Sequence, residues 1–121
     1  MKYLVVDDAK LARKMTIKSL KAVINKEFEV IEATNGKEAI EYYKTYNPEV
    51  CFMDLTMPEV NGFEATKEIC SINPDAQIII VSADIQEHSL TKAQESGAMG
   101  FIKKPIDANN LKSMMEELGL L

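Results

Sequence analysis

Short runs of consecutive apolar residues alternate with longer amphipathic segments along the whole chain, and this alternation constrains the fold most. Three runs are apolar at every position, as expected of strands that are buried on both faces of a sheet; they are 3–6, 50–53 and 78–81. Residues 28–33 alternate between apolar and polar, which predicts a strand that is covered on one face or lies near an edge. A fifth run, 99–102, follows a turn at Gly97.

Helical patterns lie between these runs. Apolar residues spaced at i, i+3 and i+7 form one stripe on a helix from about residue 10 to 25. Asn35 is placed to cap the next helix, and Glu38 follows three residues later, at the spacing of a capping box. The last helix begins near Asp107 and stops at Gly119.

Two further helical segments complete the pattern. Small and apolar residues line a third helix over 62–69, and 86–96 is helical in propensity with a thin apolar face. Five strands alternating with five helices predict an α/β fold of the (βα)5 type, with a doubly wound parallel sheet. Right-handed crossovers between parallel strands place helices on both faces of that sheet. We expect residues 1–121 to form one domain.

Composition and charge argue against several classes of protein. Hydrophobic residues make up 46% of the chain, which is too many for a disordered segment. The net charge of −5 argues against nucleic acid as a direct partner, because a phosphate backbone requires a basic face. The apolar runs are far shorter than the roughly 20 residues that a membrane span needs, and the N-terminal MKYLVVDD does not resemble a signal peptide. These features predict a cytoplasmic protein in which Cys51 and Cys70 are free thiols.

Polar side chains follow four of the five predicted strands at their carboxyl ends. In a doubly wound sheet the site lies in the crevice beyond these ends, so the fold would bring the side chains together. They are Asp7 and Asp8 after the first strand, Asp54 after the third, Ser82 at the end of the fourth, and Lys103 and Lys104 after the fifth. One pocket would therefore hold three carboxylates, a hydroxyl and at least one ammonium group.

Such a pocket suits metal and phosphate chemistry. Three neighbouring carboxylates repel one another, and a divalent cation relieves that repulsion. Oxygen ligands select a hard ion such as Mg²⁺, which keeps several waters and leaves room for a phosphate oxygen. A carboxylate can also act as a nucleophile and form an acyl phosphate, while the lysine and the hydroxyl stabilise the transferred group. Each of these residues alone is more often a capping or surface residue, and it is their combination at strand ends that indicates a site.

The sequence resembles the CheY-like receiver domains of two-component response regulators, from residue 2 to about residue 118. The matching motifs are VVDD at 5–8, MDLTMPEVNG at 53–62, VSA at 81–83 and KP at 104–105. The resemblance implies a flavodoxin-like sheet of five parallel strands in the order 2-1-3-4-5, with helices on both faces.

The resemblance also implies a role for each residue at the strand ends. Asp54 matches the aspartate that is phosphorylated by a histidine kinase. Asp8 matches a direct ligand of Mg²⁺, and Asp7 a residue that acts on the ion largely through water. Asp54 and the backbone carbonyl of Thr56 match the remaining protein ligands. Lys104 matches the lysine that pairs with the phosphoryl oxygens.

Two residues match the parts that respond to phosphorylation. Ser82 stands where the family has a hydroxyl that bonds to the phosphoryl group, and Phe101 matches the switch aromatic. Many relatives carry Tyr at that place, so here the switch would depend on packing alone. Thr56 and Asp84 stand where relatives tune the lifetime of the phosphoryl group. The bond between Lys104 and Pro105 would be cis.

The resemblance implies a switch rather than an enzyme with turnover. We expect the histidine kinase to be the phosphodonor, and a face made by the fourth helix, fifth strand and fifth helix to bind an output partner. As a stand-alone chemotaxis-type regulator, the protein would bind a flagellar motor switch protein or a chemoreceptor kinase. The alternative is a phosphorelay intermediate that meets a phosphotransfer protein, or a receiver excised from a larger regulator with a separate output domain.

A third interpretation is a phosphohydrolase with an aspartate nucleophile, of the dehalogenase type. Those enzymes carry a D-x-D pattern after the first strand. Here the candidate nucleophile follows the third strand, which argues against this interpretation. Multiple turnover on small phosphate esters would favour it.

Overall fold

The predicted alternation of strands and helices is present throughout the chain. A computed structural model describes residues 1–55, 57, 60–83 and 86–121. The strands are β1 (Lys2–Val6), β2 (Glu29–Ala33), β3 (Val50–Met53), β4 (Ile78–Ser82) and β5 (Gly100–Lys103). The helices are α1 (Lys10–Val23), α2 (Gly36–Tyr46), α3 (Gly62–Ile72), α4 (Glu87–Ser96) and α5 (Ala108–Glu117). The predicted boundaries lie within three residues of these.

The five strands form one parallel sheet in the order β2-β1-β3-β4-β5, which confirms the flavodoxin-like prediction. Strand β2 lies at one edge, where Glu29 and Glu32 are exposed. This edge position explains why its sequence alternates, whereas β3 and β4 are apolar and buried along their length. The edge position of β2 therefore matches the partial burial that its sequence indicated.

Successive residues of the strands enter two separate cores, one on each face of the sheet. Leu4 and Val6 of β1 belong to a core that is covered by α2, α3 and α4. Tyr3 and Val5 belong to the other, which is covered by α1 and α5. Each fully buried large apolar side chain contributes about 1.5–3 kcal/mol relative to an exposed one. Because the sheet is packed on both faces, the carboxyl ends of its strands are held in fixed positions relative to one another.

Local capping begins two of the helices where the sequence predicted. Asn35 accepts a hydrogen bond at Oδ1 from the backbone N–H of Glu38 (2.8 Å). The reciprocal bond of a capping box is not made to Asn35, because the Glu38 carboxylate accepts instead from the backbone N–H and hydroxyl of Thr34. A full capping box begins α5, where Asp107 and Asn110 bond each other's backbone N–H groups.

The start of α3 lies directly against the end of β3. The N–H of Gly62 donates to the carbonyl oxygen of Leu55 (3.0 Å). A Cβ atom at Gly62 would lie 2.0 Å from the backbone oxygen of Asp54, so only glycine allows this approach. The position of Asp54 thus depends on the absence of a side chain eight residues later. Within the described ranges, none of the helices has the length and apolar character needed to cross a membrane.

Candidate functional site

The carboxyl ends of β1 and β3 are neighbours, and the residues that follow them extend the pairing of the sheet. The N–H of Asp7 donates to Ala33 O (3.1 Å), and that of Asp54 donates to Val6 O (3.0 Å). One carboxylate oxygen from each of Asp7, Asp8 and Asp54 lies within 4.8 Å of the others. The structure therefore brings the three predicted carboxylates into one cluster.

Asp54 is the carboxylate whose surroundings are least favourable to its charge. Only 6% of the surface of Asp54 is exposed to solvent. Burial, and after it the charge of Asp7, raises the pKa of Asp54 to about 6, although Lys104 and the N–H of Leu55 act in the opposite direction. A bound cation or a transferred group that neutralises this carboxylate would therefore find it already desolvated.

Lys104 supplies the positive charge of the cluster. Its Nζ lies 2.7 Å from Asp7 Oδ2 and 3.4 Å from Asp54 Oδ1. Burial alone would lower the pKa of Lys104, but the hydrogen bond to Asp7 and the charges of Asp54 and Asp7 outweigh it and raise the pKa. The backbone holds this residue through a bond from its N–H to Ser82 O (2.9 Å) and a cis peptide bond to Pro105.

The remaining predicted residues occupy three different places. Ser82 ends β4, is buried, and stands opposite Lys103 in the sheet, so it lies on the same edge as the cluster. Phe101 is half-buried in β5 and lines a groove of about 390 Å³ between α4, β5 and α5. Thr56 and Asp84 lie outside the described residues. The structure thus brings together the carboxylates and Lys104, with Ser82 at the adjacent strand end and Phe101 on a separate face.

Comparison with known families identifies the chain. A model of the response regulator receiver domain matches residues 3–116. The chain is a response regulator receiver domain. This receiver domain is 44% identical to the chemotaxis protein CheY of Thermotoga maritima over 117 residues, which cover 95% of the chain and 94% of that protein.

Other relatives place the same domain in different contexts. The receiver domain is 35% identical to the transcriptional regulatory protein DegU of Brevibacillus brevis over 88% of the chain, but this covers only 45% of that protein. Among solved structures, it aligns with a CheX–CheY complex containing BeF₃ and Mg²⁺ from Borrelia burgdorferi, with a TM-score of 0.87 over 100% of the chain and 90% of that chain. At 24% identity, that likeness shows the shared fold alone.

One residue beside the carboxylate cluster, Arg13, was not predicted from the sequence. Its guanidinium donates to the backbone oxygen of Asp7 through Nη1 (2.9 Å) and to Glu32 Oε1 through Nε (2.9 Å). Arg13 is the only arginine among the 14 basic residues of this receiver domain, and arginine is the side chain suited to bridging two acceptors. A single arginine in a lysine-rich sequence, six residues after Asp7, is the feature from which this contact could have been predicted.

The raised pKa of Asp54 predicts how stability depends on pH when divalent metal is removed by a chelator. In the folded state Asp54 keeps its proton up to about pH 6, whereas in the unfolded chain it loses the proton near the ordinary pKa of 3.8. The free energy of unfolding therefore falls as the pH rises between these two values. Asn cannot ionise. We expect Asp54→Asn to raise the free energy of unfolding by about 1–2 kcal/mol at pH 7, since a pKa difference of one is worth about 1.4 kcal/mol and solvent screening reduces the total.

Urea unfolding of wild type and Asp54→Asn from pH 3.5 to pH 7.5 measures this difference. The two proteins should converge in stability at the acidic end and separate above pH 4, and saturating Mg²⁺ should reduce the separation. A difference that does not change with pH would contradict the assignment of the buried charge to Asp54.

Proposed function

We propose that this receiver domain accepts one phosphoryl group on Asp54 from a histidine kinase, in a reaction that requires Mg²⁺. The observation that carries the proposal is the surroundings of Asp54: a buried carboxylate beside Asp7 and Asp8, with Lys104 Nζ 3.4 Å away. A desolvated nucleophile with fixed positive charge beside it is the arrangement that phosphoryl transfer requires.

The oxygen donors of the cluster fit a hard divalent ion. Asp8 is exposed and lies in one cluster with Asp54, so both would bind Mg²⁺ directly. The family resemblance adds the backbone carbonyl of Thr56, a residue outside the described ranges. Asp7 Oδ1 accepts from the N–H of Ala9 and Oδ2 accepts from Lys104. Because both oxygens of Asp7 already have donors, this residue would act on the ion through water.

The transfer itself exchanges one bond to phosphorus for another. An oxygen of Asp54 attacks the phosphorus of a phosphohistidine, the P–O bond forms, and the P–N bond breaks with its electron pair passing to the imidazole. An ion held by Asp8 and Asp54 would supply positive charge to neutralise the phosphoryl oxygens. Lys104 adds a fixed cation at the same oxygens, and its hydrogen bond to Asp7 holds it in place.

Phosphorylation then alters the groove between α4, β5 and α5. The new group adds up to about two negative charges and several acceptor oxygens beside Ser82. The Ser82 hydroxyl moves toward the phosphoryl group, and Phe101 turns inward into the space that this movement opens. Because Phe101 has no hydroxyl, packing alone stabilises either position. Partners that bind this groove thereby distinguish the two states of the domain.

The output that we propose is that of a stand-alone chemotaxis regulator in the cytoplasm, which binds a flagellar motor switch protein. The support is the high identity to a CheY protein over nearly the whole of both chains. The match to DegU supports the alternative, in which the receiver controls a separate output domain. In either case the domain acts as a switch, and it catalyses only its own phosphorylation and dephosphorylation.

Intact mass spectrometry after incubation with acetyl phosphate tests the proposal. We expect an adduct of one phosphoryl group in the presence of Mg²⁺ and none when a chelator removes the ion. Phosphoramidate, which mimics the P–N bond of phosphohistidine, should give the same adduct. Equal labelling with and without metal would contradict the requirement for Mg²⁺, and no labelling by either donor would contradict phosphoacceptance.

A further inference from the structure

We propose that Arg13 is a positioning residue for the metal ligands, which holds the peptide bond between Asp7 and Asp8 so that their side chains meet at the ion. The proposal rests on the proposed function only for the identity of the ion. Within the described residues, the guanidinium of Arg13 bonds to the backbone oxygen of Asp7 and to Glu32, and to no carboxylate of the cluster. Its effect on the metal ligands would therefore pass through the backbone.

The contacts of Arg13 join three elements at the end of β1. The residue lies in the first turns of α1, and its side chain is 12% exposed. Nη1 donates to the carbonyl oxygen of Asp7, and Nε donates to Glu32 on the neighbouring strand β2. The guanidinium therefore ties α1 and β2 to the residue with which the metal cluster begins.

The carbonyl of Asp7 belongs to the peptide that joins the two acidic residues. Because a peptide unit is planar, fixing this oxygen also fixes the N–H and Cα of Asp8. The side chain of Asp7 is fixed separately, by the N–H of Ala9 and by Lys104. Ala9, the N-cap of α1, makes no side-chain cap bond that would otherwise orient this turn. The bond from Ala9 spans Asp8, and Arg13 adds the side-chain contact that holds the carbonyl of the peptide from which Asp8 leaves the strand.

Charge and geometry predict opposite effects for Arg13. A cation close to a metal site repels the metal, so a role through charge alone would make removal of Arg13 strengthen metal binding. A role through geometry makes its removal weaken binding, because the ligands lose their shared orientation. Glu32 pairs with the guanidinium at 2.9 Å and offsets its charge, which favours the geometric role.

Lysine separates the two roles without a change in charge. The planar guanidinium presents its donors in a rigid fork, whereas the ammonium of lysine is a single point on a flexible stem. Arg13→Lys keeps the positive charge but cannot bridge the Asp7 carbonyl and Glu32 in the same way. Glu32→Gln keeps an oxygen that accepts from Nε, and Lys14→Ala alters an exposed neighbour on the same helix as a matched control.

Binding of Mn²⁺, measured by electron paramagnetic resonance without any phosphodonor, tests the proposal. We expect Arg13→Lys and Arg13→Ala to bind Mn²⁺ about 10-fold more weakly, the loss typical for residues that orient metal ligands. Glu32→Gln should stay close to wild type, and Lys14→Ala should match it. Wild-type affinity in Arg13→Lys, or tighter binding in Arg13→Ala, would overturn the positioning role. Arg13→Lys keeps the test valid if the alanine variant does not fold.

A second readout separates this proposal from the proposed function. Arg13→Lys should need more Mg²⁺ than wild type for half-maximal labelling by acetyl phosphate, yet approach the wild-type rate at saturating Mg²⁺. A lower rate at every Mg²⁺ concentration would overturn the positioning role and leave phosphoacceptance intact. Labelling that is independent of metal, together with weakened Mn²⁺ binding in the variant, would overturn the proposed function and leave the positioning role intact.

Discussion

Asp54→Asn is expected to abolish labelling by acetyl phosphate at any Mg²⁺ concentration. The substitution preserves the size of the side chain but removes the carboxylate that attacks phosphorus, and an amide is a far weaker nucleophile. Intact mass after labelling should show the adduct in wild type and none in the variant. The loss should be complete because Asp7, the other buried carboxylate of the described cluster, already accepts hydrogen bonds at both oxygens.

The stability of this variant makes its loss of labelling interpretable. Burial and Asp7 disfavour the ionised form of Asp54, so Asn at this position should leave the metal-free domain at least as stable as wild type. Misfolding would therefore not explain a missing adduct. Asp75→Asn, at an exposed turn before β4, is a control that should label like wild type. Normal labelling of Asp54→Asn would show that the phosphoacceptor is another residue.

Gly62→Ala is expected to cause the largest loss of stability among single-methyl changes near the site. The added Cβ would lie 2.0 Å from Asp54 O and 2.8 Å from Leu55 Cα. Both are backbone atoms, so no side-chain rotation relieves the overlap, and α3 must move away from β3. We expect the free energy of unfolding to fall by about 3 kcal/mol, the upper part of the range for overpacked sites. Denaturant unfolding measures it.

The same displacement should also slow phosphorylation of Asp54. If Asp54 moves with its backbone, labelling by acetyl phosphate should slow even under conditions in which Gly62→Ala is fully folded. Gly119→Ala is the control, because Gly119 has φ +72 but an added Cβ atom there would have no other atom within 4 Å. It should lose only about 1 kcal/mol from backbone strain and label normally. A stability of Gly62→Ala within about 1 kcal/mol of wild type, the lower end of the cost of overpacking, would contradict the close approach.

The outline of the fold could be predicted from sequence because it depends on burial, which local patterns report. The continuous apolar runs at 50–53 and 78–81 became the buried strands β3 and β4, and the alternating run at 28–33 became the edge strand β2. The strand-end rule then indicated the cluster of Asp7, Asp8 and Asp54, since parallel strands share one carboxyl edge. The order of the strands came from the resemblance rather than from any such pattern.

The sequence by itself determined the elements, the family and the residues that meet at the carboxyl edge, because each depends on residue type and spacing. Their individual roles remain predictions. Tertiary structure alone decided which carboxylate is desolvated, which acceptors Lys104 contacts, and that Glu38 bonds to Thr34 rather than to Asn35. It also placed Arg13 between the Asp7 carbonyl and Glu32. Such contacts join residues on different elements, and their energies depend on distances and burial that exist only once the elements have packed.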